Sequence, residues 1–131
     1  MTRRSVIGAA FSLAACSPTR RTFDQVLPLQ LEGTTWRRGD LKLGPAIPEQ
    51  VQQLGVVDAS EATYLGQGSV RVRVFRMKAE TSAFELMQKW RQVDGLAAYK
   101  GQYFFVAEGS GTSRDAVLEV LSALQRLNSV A

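Results

Sequence analysis

Between residues 69 and 78, Val70, Val72 and Val74 alternate with Arg71 and Arg73. A period of two marks a strand with one buried face and one wet face. Phe75 and Met77 fall on the arginine side, so the strand either carries a bulge or is covered on both faces at that end. A Gly66-Gln67-Gly68 turn joins it to a preceding apolar stretch at 61–65. A second hairpin is predicted from 96–99 and 102–107 around Lys100-Gly101, because glycine accepts the positive φ of a tight turn. Strand pieces are also expected at 34–38 and 40–43, on either side of Gly39.

Helical spacing fills the intervals between strands. Pro48 suits the first turn of a short helix with Ile47, Val51 and Leu54 on one side and Gly55 to stop it. Ser82 and Glu85 have the form of a capping box ahead of Ala83, Phe84, Met87 and Trp90, with Asp94-Gly95 as the stop. Ser113 caps a last helix whose Val117, Val120, Leu121, Leu124 and Leu127 form an apolar stripe. The pattern predicts an α+β domain: an antiparallel sheet of about four to six strands, with two or three helices packed mainly on one face. The likeness of Ala62-Thr63-Tyr64-Leu65-Gly66 to Ala97-Ala98-Tyr99-Lys100-Gly101 suggests two helix-plus-hairpin units.

At 131 residues and 45% hydrophobic, the chain has material for one core. The net charge of +4 is confined to its beginning. Arg3, Arg4, Arg20 and Arg21 precede the first acidic residue, Asp24, and the remaining 12 basic residues are matched by 12 acidic ones. The body is formally neutral, which argues against a nucleic-acid partner. With no histidine and one cysteine, zinc-finger ligand sets, Ser-His-Asp triads, Cys-His nucleophiles and intrachain disulfides cannot be assembled from this chain alone.

Arg3 and Arg4 are followed at 6–15 by a run of small or apolar residues and then by Cys16. The run is far short of the roughly 20 residues that span a bilayer and has the length of a signal-peptide core. Its end, Leu13-Ala14-Ala15-Cys16, resembles the lipobox of bacterial lipoprotein precursors. That resemblance implies cleavage before Cys16, acylation of its thiol, a membrane anchor and an exported body in the cell envelope, on the periplasmic side or at an outer membrane. Thr2-Arg3-Arg4-Ser5-Val6-Ile7 also resembles a twin-arginine export signal. Residues 1–15 are thus expected to be a signal peptide, 16–29 a lipid-anchored tether and 30–131 the folded domain.

The body resembles an uncharacterised group of small exported bacterial proteins through Ala62-Thr63-Tyr64-Leu65-Gly66, Ala83-Phe84 and the Tyr99 to Tyr103 hairpin. No activity follows from that likeness. The acidic residues are scattered singly rather than paired for acid/base work, and no Asp-x-Asp-x-Asp-Gly calcium loop occurs. Gly109-Ser110-Gly111-Thr112-Ser113 precedes a helix but lacks the lysine of a phosphate-binding loop. The expectation is a noncatalytic body without metal or cofactor that contacts an envelope protein. Trp36, Arg37, Arg38, Arg71 and Arg73 are the candidate contacts, since Trp and Arg are enriched at binding hot spots. The alternative is a binding module for a small or extended ligand, using the apolar side of the sheet or an edge strand at 69–78. The pattern specifies no oligomeric state.

Overall fold

The computed structural model describes residues 21–91 and 95–128, so the leader and Cys16 lie outside the described residues. The alternating valines form β3 (Gly68–Met77), which is the centre of the sheet. It pairs antiparallel with β2 (Val56–Gly66) on one side and β5 (Tyr103–Ser110) on the other. β1 (Arg37–Leu43) flanks β2 and β4 (Leu96–Lys100) flanks β5, giving five antiparallel strands in the order β1-β2-β3-β5-β4. The 69–78 segment therefore has both edges occupied and is not an edge strand. The edges are β1 and β4, and β4 is partly guarded by Gln125, whose side-chain amide donates to the Tyr99 carbonyl at 3.1 Å.

The described helices are α1 (Phe23–Val26), α2 (Glu49–Gln53), α3 (Glu80–Lys89) and α4 (Arg114–Leu127). The expected α+β class stands, and α2 with β2–β3 and α3 with β4–β5 form two helix-plus-hairpin units. The helices nevertheless divide between the two faces. Val70, Val72, Val74, Tyr64 and Phe105 pack with Phe23, Val26 and the Val117, Val120, Leu121 and Leu124 stripe. On the opposite face Phe75, Met77, Phe104 and Val106 pack with Val51, Ala83, Leu86 and Trp90. Pairing of β3 with β5 runs without a register shift, so Phe75 and Met77 stay on the arginine side and are simply covered there. That second apolar patch requires helices on its side as well.

Two boundaries move. Phe23, Val26 and Leu27 are buried, so residues 23–29 belong to the domain and not to a tether. Burying these three side chains removes apolar area that a solvated tether would leave in water. α3 starts at Glu80 with Ala79 as its N-cap, earlier than the Ser82–Glu85 pair implies. Ser82 is buried one turn inside with Ala83 and Leu86, and its N–H bonds the Ala79 carbonyl at 3.1 Å, while Phe84 and Met87 are exposed. The other caps follow expectation: the Ser113 hydroxyl accepts from the Ala116 N–H at 3.1 Å, and α2 follows Pro48 and ends before Gly55 at φ +92°.

The β2–β3 turn depends on Gly68, at φ +96°, where a Cβ would strike the Gly111 carbonyl and stand 2.8 Å from the Thr112 Cβ. Gly44 also has positive φ, +73°, but faces open space. Thermal unfolding should therefore separate the two: Gly44→Ala costs about 1–2 kcal/mol for its backbone alone, and Gly68→Ala roughly twice that. Equal losses would contradict the close approach.

Tyr64 lies fully buried, with its hydroxyl donating to the Pro28 carbonyl at 2.8 Å. Burial pushes its phenol well above the ordinary tyrosine range. A folded pKa raised above the unfolded value of about 10 contributes stability that is intact below that pH and is lost as pH rises beyond it. In an alkaline absorbance titration Tyr64 should ionise only with unfolding, and Tyr64→Phe should remove that delayed step.

Candidate functional site

Beyond α3 the arginine face of the sheet changes character. At the border register sets Lys42 across from Glu61 and Glu61 across from Arg73, and towards the β2–β3 turn it sets Thr63 across from Arg71 and Arg71 across from Glu108. Arg37 stands across from Leu65, which is 54% exposed. Arg71 and Glu108 form an ion pair with both side chains partly exposed. The hydrogen bond to Glu108 raises the Arg71 guanidinium above its ordinary value; desolvation opposes it, and the charges of Glu108 and then Glu61 raise it further by less. Arg73 marks the border between the halves. Its guanidinium carbon lies 6.0 Å from the Phe75 ring centroid and its Nε is enclosed without an acceptor among the described residues.

The bare half is thus a flat plate of alternating charge around an exposed leucine. It brings Arg37, Arg71 and Arg73 to one face, as candidate contacts require. Trp36 and Arg38 do not join them. Trp36 is buried against Gly66, and its indole N–H donates to Glu119 at 3.0 Å across to α4. Arg38 points to the opposite face, where it donates to the Leu27 carbonyl at 2.6 Å, the Gly39 carbonyl at 3.2 Å and Asp24 at 3.2 Å. Both are structural because Trp36 closes the first core and Arg38 ties α1 to β1. Sequence reasoning missed Glu61, Glu108 and Leu65 as parts of the plate. Their alternation with the core residues Ala62, Tyr64 and Ala107 was the available signal.

At the far end of the sheet, on the α1 face, a cleft of about 410 Å³ is walled by Phe23, Leu41 and Leu43 and rimmed by Arg21, Asp24 and Arg76. Arg76 is buried, grips Asp58 with Nε to Oδ1 at 2.8 Å and a second contact from the guanidinium to Oδ2, and donates to the Arg21 carbonyl at 3.0 Å. It also stacks over the Phe23 ring at 5.2 Å. This arginine fastens the start of the domain to β3. β5 continues through Gly109 and Ser110, and Ser113 caps α4 as the sequence pattern predicts. The hollow beside it measures about 190 Å³.

Fold and plate together define a small α+β domain with an open antiparallel sheet, one face half covered and half charged. Comparison of the chain with known protein-family models, with curated proteins and with solved structures finds no match. Among the described residues no three carboxylate or thiol side chains gather as a metal site, and no helix is long and apolar enough to cross a membrane.

Urea unfolding distinguishes the two neighbouring arginines of β1. Arg38→Ala, which orphans the Leu27 carbonyl, should cost about 1.5–3 kcal/mol, whereas Arg37→Ala at an exposed position should stay within about 0.5 kcal/mol.

Proposed function

We propose that the protein is a membrane-anchored lipoprotein of the bacterial envelope whose noncatalytic body docks a protein partner on its bare charged plate. The observation that carries the docking reading is the gathering of Arg37, Arg71, Arg73, Glu61, Glu108 and exposed Leu65 on a half-face that no described helix covers. Alternating charge around an apolar centre discriminates among partners by pairing, and like charges set opposite one another reject the wrong ones. The anchor reading is supported by Leu13-Ala14-Ala15-Cys16 behind Arg3 and Arg4. Several acyl chains, each burying methylenes at about 0.8 kcal/mol, hold durably where one chain is marginal.

The test compares wild type with Cys16→Ala in a bacterial host by N-terminal mass and membrane fractionation, with a photo-crosslinker at position 71 or at exposed Leu118 of α4. The reading predicts a lipid-bearing, membrane-bound wild type lacking residues 1–15, a soluble mutant, and protein adducts from position 71 far exceeding those from 118. An unmodified, soluble wild type sinks the anchor, and equal or absent adducts at both positions sink the plate.

A further inference from the structure

The cleft end of the sheet has a consequence for orientation, resting on the anchor reading above. Arg21, the first described residue, lines the same cleft as Leu41 and Leu43. Five Cα steps separate it from Cys16, a reach of at most about 17 Å. The sheet is longer than this: β3 alone, with 10 residues, extends roughly 30 Å. An anchored Cys16 therefore keeps the Leu43 end beside the bilayer and the Gly66–Gly68 turn well away from it.

The surface at that end has the composition a bilayer surface selects. Leu43 is 72% exposed and Val57 46% exposed. Lys42 and Lys78 are exposed, with no side-chain partner among the described residues. The carboxylates nearest the cleft are engaged, Asp24 by Arg38 and Asp58 by Arg76. Arg20 and Arg21 add two further cations in sequence. Basic side chains are drawn to anionic headgroups within a Debye length, and an apolar side chain among them enters the headgroup boundary.

We propose that the Leu43 end of the sheet docks end-on on an anionic bilayer surface, Leu43 entering the headgroup layer from the α1 face while Lys42, on the opposite face of β1, and Lys78, just past β3, meet the headgroups at the same end, so that the Arg71 and Leu65 part of the charged plate is presented away from the membrane. Tether length and charge complementarity select this occupant over a second copy or a soluble ligand.

The experiment uses full-length protein purified from membranes and reconstituted into vesicles of phosphatidylglycerol and phosphatidylcholine carrying a quencher on the acyl chains. A polarity-sensitive fluorophore is placed on Leu43→Cys or, at the opposite end, on Gln67→Cys. Docking predicts that quenching at 43 exceeds that at 67 by fivefold or more, and that Lys42→Glu with Lys78→Glu reduces the quenching at 43 at least twofold. Vesicle-bound protein with equal quenching at both positions, or none at 43, overturns the docking while leaving the anchor intact. Protein that carries no lipid and fails to float with the vesicles overturns the anchor and the docking together.

Discussion

Everything in this fold depends on β3 having one neighbour on each side and a face that changes character along its length. Its valines fill the first core from Val70 to Val74, and that packing with Tyr64, Phe105 and the α4 stripe sets the register of the whole sheet. The opposite face begins with Arg71 and Arg73 and ends with Phe75 and Met77. A register slip of one residue would bury two guanidinium groups and expose three valines, so the strand admits a single alignment.

This change of character explains why helices occupy both faces. α3 covers only the part of the arginine side where Phe75, Phe104 and Val106 supply apolar area, and Trp90 closes it with an edge-on contact to Phe104 at 5.2 Å between ring centroids. Past Arg73, covering the sheet would desolvate charges without replacing their hydration, and no helix of the described residues lies there. The plate is therefore a by-product of the same alternation that builds the core. At the other end Arg76 joins β3 to Asp58 and to the backbone of Arg21, so the start of the domain is fixed relative to the sheet. Under the proposed anchor, that fastening turns a short tether into a constraint on orientation.

Much of this was legible in the chain. Alternation located the central hairpin, Lys100-Gly101 the second one, and the stripe from Val117 to Leu124 the last helix, because each depends on local spacing. Phe75 and Met77 left a bulge and a double covering both open, and the structure shows the covering. What local spacing could not convey was which strand lay at the centre: the arginine-bearing strand has the look of an edge, yet the side away from its hairpin partner β2 is filled by β5, remote in sequence. The same limit misplaced Trp36 and Arg38. Their types suit a contact surface, but Glu119, 83 residues away from Trp36, and the Leu27 carbonyl convert them to internal ties. Phe23 to Leu31 had too short a pattern to register as structure, and only their burial beneath the sheet makes them part of the domain.

The central claim, that one sheet face is core at one end and free contact surface at the other, is tested most directly by equilibrium unfolding in urea. The comparison is an Arg71→Thr, Arg73→Thr double variant against Phe75→Ala, two positions further along the same face. The account predicts that the double variant stays within about 1 kcal/mol of wild type, while Phe75→Ala loses about 3–5 kcal/mol. Comparable losses in both would mean that the charged half is itself structural, and the division of the face would be wrong.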